Sequence, residues 1–301
     1  MRPLNAFLAA LGVLAGMALS VGPVPEPACQ LQPPLACSHV DRVFPPLYVS
    51  GSAALAAAFF ITAFGNVLND LRDVDVDRIA HPSRPLPSGT VTKRSAARML
   101  GLLLSLGLAF AALAGVWPLL FAAGTVLLLL LYESRLKREG LSGNLVVALL
   151  TASTFLFGAV AQGHLETARF AVIAAAMAFF VNLAREVAKD MQDVDADRGH
   201  RRTLPMQLGM RKSGFVVAAA ALAGIVASAP FMAWHQDCLS RQDFLVLTGL
   251  LLAADAAVAS GGLLSFSRPA WAQRLLKVGM AVALVAFFFV PLFVPPGLTA
   301  C

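Results

Sequence analysis

Two stretches of the chain carry enough acid to do chemistry. Asn69-Asp70-Leu71-Arg72-Asp73-Val74-Asp75-Val76-Asp77-Arg78 and Lys189-Asp190-Met191-Gln192-Asp193-Val194-Asp195-Ala196-Asp197-Arg198 together hold eight of the 17 acidic residues. On a helix advancing about 100° per residue, Asn69, Asp73 and Asp77 recur at i, i+4 and i+8 and share one face, with Asp70 beside them. Glu186, Asp190, Asp193 and Asp197 form the corresponding stripe in the second run, while Asp75 and Asp195 point elsewhere. Like charges at this spacing repel, and at a helix C-terminus the macrodipole adds to the repulsion. Ordinary surface ion pairs are one way to offset that charge. Oxygen-only ligands at this density also suit a hard divalent cation, and Mg²⁺ typically takes one or two carboxylates together with waters and substrate phosphates.

The runs are copies of each other. Asp70, Asp73, Val74, Asp75, Asp77 and Arg78 recur 120 residues later as Asp190, Asp193, Val194, Asp195, Asp197 and Arg198. Slightly further on, Arg84-Pro85-Leu86-Pro87 is echoed by Arg202-Thr203-Leu204-Pro205. This reads as an internal duplication, with pseudo-repeats near 46–165 and 166–285 inside a single domain covering 1–301.

The surrounding sequence belongs in a bilayer. Of the 301 residues, 58% are hydrophobic and 13% charged, and the mean hydropathy is +0.75. A soluble domain carries about a quarter charged residues, so this chain could not cover its surface in water. Its apolar content excludes disorder, and 4 cysteines are too few for a disulfide scaffold. Nucleic-acid binding is disfavoured because no basic tract is interleaved with aromatics.

Nine segments approach the length of about 20 apolar residues that a span needs: 4–22, 46–68, 95–115, 117–132, 141–162, 168–186, 213–233, 244–266 and 276–295. The expected fold is thus an all-α polytopic membrane bundle of about nine helices, built from a duplicated four-span unit. Trp117-Pro118 is expected to mark a turn. Counting Lys and Arg on alternate sides places 20 of the 23 on one side and Arg42, Arg169 and Arg241 on the other. The positive-inside rule makes the richer side cytoplasmic, with both acidic runs and the N-terminus on it and the C-terminus outside. The first segment also resembles a signal peptide, but its length favours an uncleaved span. Cys29, Cys37, Cys238 and Cys301 fall on the outer side, where a Cys29–Cys37 bridge and free thiols are both compatible with the spacing.

Two carboxylate sets sharing a metal-filled gap would clamp a diphosphate. Arg72, Arg78, Arg84, Lys137, Lys189, Arg198 and Arg202 supply further phosphate contacts, and the bundle below would house a hydrocarbon tail. The matching ligand is a polyprenyl diphosphate, whose departing group gains negative charge as the allylic C–O bond breaks.

These residues carry a resemblance to the UbiA superfamily of intramembrane prenyltransferases. Asn69, Asp70, Asp73 and Asp77 resemble its Asn-Asp-x-x-Asp-x-x-x-Asp signature. Asp190, Asp193 and Asp197 resemble its Asp-x-x-Asp-x-x-x-Asp signature, and Arg84-Pro85-Leu86-Pro87-Ser88-Gly89 its Arg-Pro-Leu/Ile-x-Ser-Gly element. The family's Tyr-x-x-x-Lys element is met by Tyr132 and Lys137 with one extra residue between them. The resemblance implies catalytic roles for Asp73, Asp77, Asp193 and Asp197. It implies a Mg²⁺ ligand set of Asn69, Asp70, Asp73, Asp77, Asp190, Asp193 and Asp197. The implied diphosphate contacts come from Asn69, Arg72, Arg84, Lys137, Lys189, Arg202 and Tyr132.

Arg2-Pro3-x-Asn5, Gly65-Asn66 and Arg185-Glu186-x-x-Lys189-Asp190 resemble the ether-lipid branch of the family. That branch implies transfer of geranylgeranyl to the hydroxyl of geranylgeranylglyceryl phosphate. An aromatic acceptor of quinone biosynthesis is the nearest alternative. A secondary transporter is the alternative from another class, supported only by Asp255 in mid-span and opposed by acids at helix ends rather than at the midplane. Asp255 is equally readable as a pocket or a packing residue. Asn144 and Asn182 read as interhelical hydrogen-bond partners, and His81 and His200 as loop surface. The expected surroundings are membrane lipid, a prenyl donor and a lipid-like or aromatic acceptor, with no obligate protein partner.

Overall fold

A computed structural model describes residues 3–20, 49–163, 168–195, 202–235 and 239–293. Arg2, Arg42, Asp197, Arg198, His200 and all four cysteines lie outside the described residues. The described chain is helical: α1 Pro3–Ala18, α2 Val49–Arg72, α3 Val74–Ala80, α4 Lys93–Ala114, α5 Val116–Ser134, α6 Leu141–Gln162, α7 Arg169–Gln192, α8 Leu204–Leu208, α9 Met210–His235, α10 Arg241–Leu264 and α11 Pro269–Phe293. A 3₁₀ turn, Leu136–Arg138, joins α5 to α6.

Among the described residues eight helices are long and apolar enough to cross a membrane: α2, α4, α5, α6, α7, α9, α10 and α11. The chain is a multi-pass membrane protein. The first expected segment is shorter than its apolar run suggests. Helix α1 has 16 residues, about 24 Å of rise against a hydrocarbon core of about 30 Å. Nevertheless α1 is integral to the bundle, packing on α2 and α6. Gly12 and Gly16, four residues apart, bring its backbone against α6, where Gly158 answers them. A methyl at Gly16 would strike the Phe155 carbonyl, and one at Gly158 the Val13 carbonyl. Small residues at this spacing let membrane helices approach closely when no hydrophobic gain is available between apolar surfaces.

Helices α2 and α7 are the central pair. Their apolar windows are 50% and 56% buried, against 17% for α5, and the buried faces are dominated by alanine: Ala54, Ala57, Ala171, Ala174, Ala184 and Ala188. Leu127, Leu222 and Leu263 lie on outward faces and are exposed, as lipid contact requires. Both central helices have 24 residues, and their ends are displaced by the 120 residues that separate the acidic runs. Each packs in the same way on its successors. α2 contacts α4 and α6 while α4 meets α5 and α5 meets α6; α7 contacts α9 and α11 while α9 meets α10 and α10 meets α11. Even the close approaches correspond. A Cβ at Gly107 of α4 would press on Ile61 at 2.7 Å, and one at Gly224 of α9 on Val181 at 2.6 Å; Ile61 and Val181 are again 120 apart.

Local signals set the helix ends. Thr92 caps α4 by accepting from the Ser95 amide at 3.1 Å, and Ser240 caps α10 from the Asp243 amide at 3.2 Å, as short hydroxyl side chains do at N-termini. The expected turn near Trp117-Pro118 falls slightly earlier. Gly115, at φ 135°, takes a backbone conformation that costs residues with a Cβ, and Pro118 sits within the first turn of α5, where its missing N–H costs nothing.

Candidate functional site

The acids end the helices that carry them. Helix α2 stops at Arg72, with Asp73 at φ −90° and ψ 3°, and α7 stops at Gln192, with Asp193 at φ −97° and ψ 9°. Both lie in the bridge region that terminates regular helix. The Asp73 amide still donates to the Asn69 carbonyl at 2.9 Å, and the Asp193 amide to the Lys189 carbonyl at 2.9 Å. The continuous helical stripe expected over 69–77 is therefore broken at Asp73, where α3 starts. The i+4 spacing survives because the Asp77 amide donates to the Asp73 carbonyl at 2.8 Å. Arg72 and Lys189 occupy the last turns, where cations suit the negative end of the dipole.

At the first tip each of two acids faces a cation. Arg84 donates to both oxygens of Asp77, at 2.6 and 2.7 Å, in a pair whose carboxylate is buried. Lys137 donates to Asp73 Oδ2 at 2.7 Å and to Glu133 Oε2 at 2.9 Å. Glu133 Oε1 in turn accepts from Asn69 Nδ2 at 2.8 Å. The Glu133 side chain is 3% exposed and that of Lys137 8%, so this network lies out of bulk water, where charge pairs are screened least. Asp75 instead pairs with Arg78 at 3.2 Å on the surface.

At the second tip Asn144, one turn into α6, donates to Asp190 Oδ2 at 2.8 Å. Asn144 is thus a partner of the acidic run and not only a packing residue. Two turns lower, Asn182 Nδ2 donates to Thr151 at 3.1 Å, Arg185 Nε donates to Asn182 Oδ1 at 3.0 Å, and Arg185 also pairs with Glu186. Asp193 is half-buried and Asp195 exposed.

The connection between α5 and α6 ties the tips together. Glu133 and Lys137 hold Asn69 and Asp73 of the first, while Asn144 holds Asp190 of the second. Between them Gly140 lies so close to the Arg202 carbonyl and the Gln207 amide that a Cβ would come within 2.8 Å of each. Both acidic ends therefore sit at one end of the bundle, bridged by a dozen residues. Of the sequence-derived candidates, the structure brings together Asn69, Asp73, Asp77, Arg84 and Lys137 at the first tip. It places Asp70, Asp190, Asp193 and Tyr132 at the same end, and leaves Arg72, Lys189 and Arg202 exposed on its surface.

Two participants escaped the sequence reading, Glu133 and the second-tip role of Asn144. The available signals were the i, i+4 spacing of Glu133 and Lys137 at the end of a span, and an asparagine one turn inside an apolar helix.

Residues 9–281 match the UbiA prenyltransferase family. The chain belongs to that family. A digeranylgeranylglyceryl phosphate synthase of Methanoculleus marisnigri is 34% identical over 95% of this chain and 94% of its own length. A synthase of the same name from Methanopyrus kandleri is 34% identical over 95% of each. Among solved structures, one described as digeranylgeranylglyceryl phosphate synthase in membranes aligns with a TM-score of 0.69 at 24% identity, covering 97% of this chain and 99% of that one. A UbiA homologue from Archaeoglobus fulgidus bound to GPP and Mg²⁺ aligns at 0.59 with 16% identity, covering 97% and 98%. These two likenesses establish the fold. Membership of the UbiA family makes the chain an intramembrane prenyltransferase.

The donor set suits a hard cation: Asn69, Asp70, Asp73, Asp77, Asp190 and Asp193 offer oxygen alone. Among the described residues no three carboxylates, histidines or cysteines form a closed cage. Mg²⁺ does not need one, since it keeps waters and takes ligands from substrate phosphate. The residues fit an ion completed by a diphosphate.

Proposed function

We propose that this chain transfers geranylgeranyl from its diphosphate to the free hydroxyl of geranylgeranylglyceryl phosphate, with Mg²⁺, at the cytoplasmic face of the membrane. The observation that supports this reading is that Glu133 and Lys137 contact the first acidic helix end and Asn144, eleven residues after Glu133, the second, at one end of the bundle. The relatives' names support the acceptor, and the 20 basic residues assigned to that side support the orientation.

Each group has a task. Asn69, Asp70, Asp73, Asp77, Asp190, Asp193 and Asp197 would hold Mg²⁺, which when bound neutralises negative charge on the diphosphate. Arg84, with its planar fork, and Lys137, as a point charge, are placed to exchange their carboxylate partners for phosphate oxygens. Arg72, Lys189, Arg202 and Tyr132 extend the diphosphate-binding rim. As the allylic C1–O bond breaks, the electron pair leaves with the diphosphate, where these fixed cations are worth most. The acceptor oxygen then bonds to C1, and its proton passes to a second-tip carboxylate acting as base. The alanine-lined bundle excludes water, which would otherwise capture the allylic cation. The 120-residue correspondence of α2 and α7 supports a duplicated four-span unit as the frame.

The test is a product assay on purified protein with geranylgeranyl diphosphate. Transfer to geranylgeranylglyceryl phosphate is expected with Mg²⁺ and should disappear with EDTA. Product with 4-hydroxybenzoate alone would overturn the acceptor, and metal-independent transfer would overturn the site.

A further inference from the structure

Glu133 belongs to neither acidic run, yet it touches two members of the first site. Its carboxylate accepts from Asn69 Nδ2 at 2.8 Å and Lys137 Nζ at 2.9 Å. The same ammonium reaches Asp73 at 2.7 Å. A carboxylate only accepts hydrogen bonds, so Asn69 must turn its NH₂ toward Glu133 and its Oδ1 the other way. The amide is thereby locked with its hard oxygen facing away from Glu133. Lys137, meanwhile, is divided between two carboxylates, so Asp73 is not its sole counter-charge. The Glu133 side chain is 3% exposed, and a carboxylate without partners there would be costly; its two bonds to the site account for its presence.

We propose that Glu133 is a positioning residue that readies the first tip for its metal, by orienting Asn69 and by drawing Lys137 partly off Asp73. This rests on the metal-dependent prenyl transfer proposed above. Residues one shell behind metal ligands change affinity by about 10–100-fold when altered. Without the Glu133 charge, Lys137 competes with the ion for Asp73 undivided.

The test is direct Mn²⁺ binding by electron paramagnetic resonance on the purified, substrate-free protein, together with the Mg²⁺ dependence of turnover and the thermal midpoint. Glu133→Gln, whose NH₂ must face either Asn69 Nδ2 or Lys137 Nζ, is expected to weaken Mn²⁺ binding about tenfold, with a lowered midpoint that still leaves the protein folded at the assay temperature. Turnover at saturating Mg²⁺ should stay within about threefold of wild type. Adding Lys137→Met to Glu133→Gln should bring much of the Mn²⁺ affinity back, although diphosphate binding then falls. Wild-type Mn²⁺ affinity in Glu133→Gln would overturn the inference while leaving the prenyl-transfer reading intact. So would weakened binding that the second substitution fails to restore. A wild-type protein that neither binds Mn²⁺ nor needs metal for turnover would overturn the function itself.

Discussion

At the end of α2, Asp73 and Asp77 each have a cation within 2.7 Å; at the end of α7, Asp190 is held by the neutral amide of Asn144 at 2.8 Å. The backbone is nearly the same in both places, with φ and ψ at Asp73 and Asp193 within about ten degrees of each other. The helix ends and the acids correspond at an offset of 120 residues, while the described partners of Asp73 and Asp190 differ. These partners lie beyond the two ten-residue acidic runs: Arg84 in the loop after α3, within the element echoed at Arg202, and Lys137, Glu133 and Asn144 around the α5–α6 turn. The consequence is chemical. In the proposed reaction the cations paired with Asp73 and Asp77 would be handed to the incoming diphosphate. At the second tip the described bond to Asp190 comes from an amide, and in the proposed reaction that tip would supply the carboxylate that takes the acceptor's proton.

The strongest way to break this comparison is to remove the acid at the equivalent position of each tip. Asp73→Ala and Asp193→Ala should each lower turnover by about a thousandfold, the scale of losing a charge-stabilising element of a transition state, with folding retained. The contrast lies in KM for the prenyl diphosphate, which should rise more in Asp73→Ala. Equal KM values in the two variants would mean that the tips do the same work.

Next in size is the counter-charge. Arg84→Ala removes the Nη1 group that donates to both oxygens of buried Asp77 and a prospective phosphate ligand, and kcat/KM for the diphosphate should fall about a hundredfold, a hydrogen bond to a charged group being worth about 1.5–3 kcal/mol. Arg84→Lys should recover only part, since an ammonium lacks the planar fork that matches a phosphate. Full recovery would reduce Arg84 to a point charge.

The architecture and the acids were legible because both are written in strong local signals, apolar run length and carboxylates at helical spacing repeated at a fixed offset. The break at Asp73 was not, because periodicity cannot tell a continuous helix from one that pivots on a residue while keeping i+4 bonds. The partners were hidden for a different reason. Glu133 lies 64 residues from Asn69, and Asn144 lies 46 from Asp190, so only packing through Gly140 and the 3₁₀ turn reveals the pairing. Arg84 could be read as a phosphate ligand from its motif, but its grip on Asp77 could not. The first span was read too long because hydropathy continues past Ala18 although the helix stops there.

The smallest expected effect tests the second tip. Asn144→Ala leaves Asp190 without a donor it uses, and turnover should fall about tenfold, the cost of one unmade hydrogen bond at about 1–1.5 kcal/mol. Asn144→Asp keeps the shape but sets a carboxylate 2.8 Å from Asp190, where like charges cannot both ionise. A proton should then be shared across the pair, and the rising limb of the turnover profile displaced toward alkaline pH relative to Asn144→Ala. The same displacement should not follow from Lys137→Met, because Lys137 pairs with Asp73 and Glu133 and touches no second-tip acid among the described contacts. If Asn144→Asp and Lys137→Met move the profile equally, the proton-accepting role cannot be assigned to the second tip, and the division of labour between the two helix ends falls with it.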